Sequence, residues 1–246
     1  MKLQEFNELL EKDDQFLIEQ IVHALEGVGD DPAAKHKISK QLTETLTGKE
    51  SLHRCASGFK LIWEDIKGHL PPYEFKQVEQ ECATALTKLS AMSGKKMESL
   101  PQMMDKMEKM PDTFQELLGI SDQTLEHFYQ AGMRHYAAAH YADAGTIFFT
   151  LSVLSPFRFN IWQALGLSEE KLLKHEKALE AFAMATIMDP SSPIPHMHSG
   201  ACYLAIHDKI HAKATLKHAL ELIDKQNPSV FEKEKKWIAD MLLKSA

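Results

Sequence analysis

Along the C-terminal half of the chain, small and large apolar residues return every 34 positions between Leu125 and Asp224. With units begun at Leu125, Phe159 and Pro193, the eighth position holds Gly132, Gly166 and Gly200, and the twentieth holds Ala144, Ala178 and Ala212. Small residues are needed where the first helix of a unit crosses the second, because a larger side chain would force the pair apart and open a void. The middle unit is the most regular, with Trp162, Leu165, Gly166, Ala178, Phe182, Ala185 and a closing Pro190 that cannot continue its helix. The first unit keeps Phe128, Phe148 and Pro156. The third keeps Tyr203 and Ala219 but ends at Asp224 without proline.

This period and these positions are those of the tetratricopeptide (TPR) helix-turn-helix unit. The predicted fold is therefore all-α: a TPR helical solenoid of three repeats (125–158, 159–192, 193–226) plus a capping helix over 228–244. The cap carries Phe231, Lys235, Ile238 and Leu242 on one stripe. A solenoid needs such a cap because its last unit otherwise leaves an apolar stacking face in water.

Upstream, helical periodicity breaks at turn signals. Leu3, Phe6, Leu9, Leu10, Phe16, Leu17, Ile21 and Leu25 precede Gly27 and Gly29, and a second helix is expected from about Pro32 to Gly48. A third carries Leu52, Phe59, Ile62, Trp63 and Ile66 before Gly68. A fourth opens at Pro71-Pro72 with Phe75, Val78, Cys82, Leu86 and Leu89. Residues 1–94 read as a separate N-terminal helical domain. Residues 95–112 read as a linker in which Met97, Met103, Met104, Met107 and Met110 are interleaved with charges, the last four between Pro101 and Pro111. Methionine adapts to irregular pockets, so self-occupation of a peptide groove by this segment is the sharper alternative to a plain spacer.

Of the formal charge of −7, residues 1–120 hold −6, from 15 basic and 21 acidic side chains. Lys and Arg are scattered among acids, which argues against nucleic acid as a partner. No stretch is long and apolar enough to insert in a membrane, and the start MKLQEFNELLEKDDQF lacks the basic and apolar blocks of a signal peptide. A cytoplasmic location is expected. Cys55, Cys82 and Cys202, odd in number and widely spaced, suit reduced packing thiols.

From Thr113 onward the sequence resembles the class II chaperones of type III secretion systems, the LcrH/SycD/IpgC family. The residues that carry the resemblance are Thr113, Leu117, Ile120, Ser121, Thr124, Leu125, Glu126 and Tyr129, then Tyr136 and Tyr141-Ala142-Asp143-Ala144. After these come FFTLSVLSPFRFNIWQALG, AFAMATIMDPSSPIPHMHSGACYLA and HAKATLKHALELI, in the family's order. The match spans residues 113–224. The N-terminal domain is the departure, since a typical member carries only a short segment there. The resemblance implies a bacterial cytoplasmic chaperone that holds secreted translocator or effector proteins by an extended, proline-bounded segment near their N-terminus, with a homodimer as a possible state. The reading from another class is a TPR scaffold or regulatory adaptor for a cytosolic switch protein.

In a TPR array the first helices of the units line the concave face, through their second, fifth, ninth, twelfth and thirteenth positions. The candidate peptide-binding residues are Tyr129, Met133 and Tyr136 in the first unit, Gln163, Leu167 and Glu170 in the second, and Met197, Ala201 and Leu204 in the third. The resemblance places Tyr129, Met133 and Tyr136 at the family's aromatic or apolar groove positions. Tyrosine suits the work: its ring buries area at low entropic cost while its hydroxyl meets peptide backbone. A clamp for an acidic C-terminal tail would need lysine, asparagine and arginine where the chain has Tyr129, Met133, Ala164, Ile194 and His198. No catalytic residue, cofactor or metal site is expected. His196 and His198 lie near a His207/His211 pair at helical spacing, but no cysteine or carboxylate cluster completes a metal set.

Overall fold

The computed structural model describes residues 49–93, 113–226 and 231–244. The first two expected helices, the Met-rich segment 95–112 and the opening residues of the expected cap lie outside them. Among the described residues there are ten helices and no strand. They are α1 (Lys49–His69), α2 (Pro72–Ser93), α3 (Phe114–Leu118), α4 (Asp122–Ala137), α5 (Tyr141–Leu154), α6 (Phe159–Lys171), α7 (His175–Met188), α8 (Pro193–Ala205), α9 (Lys209–Lys225) and α10 (Glu232–Lys244).

The three repeat units are the hairpins α4–α5, α6–α7 and α8–α9, and consecutive units stack through α5 on α6 and α7 on α8. The eighth-position glycines act where they were expected to. A Cβ on Gly132 would sit 2.7 Å from the Phe148 ring, one on Gly166 2.5 Å from Phe182, and one on Gly200 2.5 Å from Leu216. Ala144, Ala178 and Ala212 are fully buried on the facing helices. The turn between the two helices of each unit uses one left-handed residue at the equivalent position, Ala139, Leu173 and His207, at φ near 60° (60°, 60° and 64°).

The lead-in to the first unit is built by capping chemistry. Thr113 Oγ accepts the Glu116 amide at the start of α3, Gly119 closes that helix at φ 75°, and Ser121 Oγ accepts the Thr124 amide at the start of α4. Two of the residues that carry the sequence resemblance, Thr113 and Ser121, are thus helix caps. In the middle unit Trp162 is buried, and its indole Nε1 donates to the Pro156 carbonyl at 2.6 Å.

Helices α1 and α2, the described part of the expected N-terminal domain, pack against the repeat array. Cys55, Ile62 and Ile66 of α1 and Val78 and Ala85 of α2 are buried in one core with Phe114, Leu118, Phe128, Ile147, Phe148 and Leu151. The physical reason lies in α5. Its residues from Ala144 to Leu154, apart from Thr146, are buried, so the helix needs a neighbour on its outer side as well as α4 and α6. Helix α1 supplies it, crossing at Gly58, where an added Cβ would fall 2.0 Å from Thr150 Oγ1 and 2.8 Å from the Thr146 carbonyl.

At the other end α10 packs on α9 and α8. Ile238 is fully buried and Phe231, Trp237, Met241 and Leu242 are partly buried, all against Met197, Leu216, Ala219 and Ile223. Lys235, on the same expected stripe, reaches Asp224 at 2.6 Å. The three cysteines are free thiols, and burial pushes each of them up to about 12. They pack.

Candidate peptide groove

Tyr129, Met133 and Tyr136 recur at spacings of four and three along α4, which puts them on one helical stripe. The two tyrosines are half-buried, and Met133 is 37% exposed. Neither ring is loose. Tyr129 lies 5.5 Å from the Phe148 ring, tilted, and its hydroxyl meets the Asn160 side chain of α6. Tyr136 lies edge-on to Tyr141 at 5.2 Å. Burial pushes both phenols above their ordinary range; Glu126 adds to this at Tyr129, and Tyr141 and then Glu170 at Tyr136. Both are therefore neutral hydrogen-bonding groups on an apolar wall at physiological pH.

Helix α6 contributes the middle strip. Gln163, Leu167 and Glu170 are each half-exposed. Leu167 packs against Ala178, Phe182 and Cys202, which seats it at the second unit's helix contact. Glu170 is more than a polar rim residue: its Oε2 lies 2.7 Å from His198 Nδ1 of α8 and so ties the second unit to the third. The His198 ring stacks on Phe182 at 5.6 Å and lies 5.9 Å from Trp237.

In the third unit Ala201 and Leu204 are half-exposed, Leu204 resting on the cluster around Leu216 and Ile238. Met197 is 5% exposed and belongs to that cluster's core, so it is not part of the open wall. Repeat position alone could not show this, because the burial depends on the helix that caps the array. The other histidines singled out in the sequence are accounted for separately. His211 holds Asp208 at 2.7 Å at the start of α9, His207 is the left-handed turn residue, and His196 lies edge-on to His218 at 4.7 Å.

One polar element escaped the sequence reading. Arg54 of α1 donates to the Gly145 carbonyl at 3.0 Å, lies 4.4 Å above the Phe149 ring, and pairs with the buried Glu169 of α6. Glu169 follows Ser168 on α6, away from the Gln163–Leu167–Glu170 strip, and the arginine braces the first two units without entering the groove.

The geometry is that of a TPR hairpin array with a partly apolar wall carried by its first helices. No protein-family model and no curated protein matches the chain. Among solved structures, a chain of the CopN–Scc3 complex shares the fold, with a TM-score of 0.53 at 24% identity over 65% of this chain and 98% of that one. The Yersinia enterocolitica type III secretion chaperone SycD, in complex with a peptide of the translocator YopD, is similar at 26% identity over 51% of this chain and 95% of its own, with a TM-score of 0.49. PcrH in complex with the chaperone binding region of PopD is similar at 28% identity over 52% of this chain and 94% of its own, with a TM-score of 0.49.

Proposed function

We propose that this protein is a type III secretion chaperone that holds an extended apolar segment of a translocator or effector client in the α4–α6–α8 groove. The observation that carries the reading is the Tyr129–Met133–Tyr136 stripe: two braced, neutral tyrosines flanking an exposed methionine. Rigid rings bury large area at little entropic cost, and their hydroxyls satisfy the backbone of a peptide that forms no secondary structure of its own. Gln163, Leu167, Glu170, Ala201 and Leu204 continue the surface. The lead-in motif from Thr113 to Tyr129, with its two helix caps, supports the same reading because it goes beyond what a bare TPR unit needs.

The role is one of binding, exercised in the bacterial cytoplasm. A translocator must later enter a membrane, so its apolar segments would aggregate during storage; masking one segment keeps the client soluble and open enough for export. Full-length protein purified from its native cell should bring down an apolar exported protein. Recovery of a cytosolic regulator in its place would support the adaptor role and contradict the chaperone reading. What SycD and PcrH hold in their complexes names the class of segment to test.

A further inference from the structure

The turn joining α4 to α5 gathers three side chains able to hold a metal ion. His135 comes from the last turn of α4, His140 directly precedes α5, and Asp143 lies in its first turn; one ligand atom from each lies within 4.8 Å of the others. The chain reverses at the left-handed Ala139, and the His140 amide donates back to the His135 carbonyl at 2.9 Å, which folds the second histidine over the first. The two rings lie 6.0 Å apart.

His135 is oriented from both sides. Its Nδ1 is buried and has no hydrogen-bond partner; Asp143 Oδ2, at 3.6 Å, is within ion-pair reach but beyond a hydrogen bond. Such an atom calls for an explanation, since buried polar groups are nearly always satisfied. Its Nε2 faces Asp65 Oδ1 of α1 at 4.0 Å, and that carboxylate is 6% exposed and held by Arg134. A ligating histidine commonly has its far nitrogen turned to a carboxylate, which sets the ring's orientation and strengthens the ligand.

The repeat does not require these residues. The equivalent positions are Glu169, Lys174 and Lys177 in the second unit and Tyr203, Asp208 and His211 in the third, so the donor set is peculiar to the first.

We propose that His135 Nδ1, His140 and Asp143 bind a divalent transition-metal ion, with Asp65 as the outer carboxylate. Two imidazoles and one carboxylate suit zinc, and a hard ion such as magnesium or calcium would want more oxygen ligands. Water would complete the four positions. The ion would pin the turn of the first unit and, through Asp65, couple it to α1.

The test uses the full chain, stripped with a chelator and titrated with zinc chloride by calorimetry, with cobalt(II) as the visible-spectrum probe. About one equivalent should bind per chain at this site, with the bands of a four-coordinate cobalt ion. His140→Ala and Asp143→Asn should each weaken binding at least about 10-fold, and Asp65→Asn by about 10-fold, while His218→Ala leaves it unchanged. Zinc should raise the melting temperature of the wild type and of His218→Ala, and not of His140→Ala. The side chain of His140 is exposed and makes no cap hydrogen bond, so that variant loses no helix cap, and its helix content by circular dichroism should match the wild type. Absence of saturable binding, or affinity unchanged in both His140→Ala and Asp143→Asn, would overturn the proposal.

Discussion

Arg54 and Glu169 stand 115 residues apart in the chain and meet as an ion pair that locks α1 to α6 across α5. The Glu169 side chain is 1% exposed and that of Arg54 is 25% exposed. Removing the arginine strands a buried carboxylate that Lys174, with its ammonium 3.8 Å from Oε2, compensates only in part. Arg54→Met should therefore destabilise the protein by about 3 kcal/mol. Denaturant unfolding of the full chain checks this, and a loss under about 0.5 kcal/mol would show that solvent already screens the pair.

The docking of α1 on α5 leads to a second expectation. A fragment starting at residue 113 would bare the outer face of α5, where Phe149, Thr150 and Val153 are buried in the whole chain. Residues 49–246 should unfold cooperatively, and residues 113–246 should melt lower and tend to aggregate. Equal melting of the two fragments would make α1 and α2 an accessory layer.

Gly58 tests the same interface at one atom. Its missing Cβ leaves room for Thr150 Oγ1 and the Thr146 carbonyl, and the carbonyl cannot rotate away. Gly58→Ala should cost about 1–3 kcal/mol through overpacking, despite alanine's better helix propensity. A more stable variant would mean that α1 sits elsewhere on α5.

Most of the solenoid could be read from spacing: Gly132, Gly166 and Gly200 mark helix crossings, and the regular Trp162–Phe182 unit forms the hairpin they imply. That α5 needs a further neighbour was legible in composition, though not that α1 supplies it: the run GTIFFTLSVL in α5 is apolar nearly all round, whereas α7 keeps charged residues on its outer face. That run announces a third neighbour without naming it. The groove was legible as a stripe, but the burial of Met197 was not, since it depends on how α10 closes the array. The His135–His140–Asp143 cluster depends on a left-handed turn at Ala139, which no helical periodicity shows.

Glu81 of α2 gives the fold an acid-sensitive tie. Its Oε2 accepts both the amide and the hydroxyl of Ser121 at 2.9 Å. Burial pushes the carboxyl up, but the hydrogen bonds from the Ser121 amide and from the Thr124, Ser121 and Gln77 side chains outweigh it, and the group sits below its ordinary range. Its stabilising contribution is thus complete above the unfolded-state value, about 4.3, and is lost as pH falls through the lower folded-state value. At neutral pH Glu81→Gln should cost about 0.5–1 kcal/mol at this open site, and the gap between variant and wild type should close in acid. A gap that stays constant with pH would assign the loss to packing.

The groove itself is tested by titrating a proline-bounded apolar segment of a co-purified client against the wild type and against Tyr129→Ala combined with Tyr136→Ala. Each ring is expected to contribute about 2 kcal/mol or more, and the two need not add. Glu170→Ala should weaken binding less, though not negligibly, because it also releases His198. The expected result is loss of measurable binding in the double variant with helix content intact; wild-type affinity in that variant would place the client-binding surface outside the α4–α6–α8 groove and contradict the account.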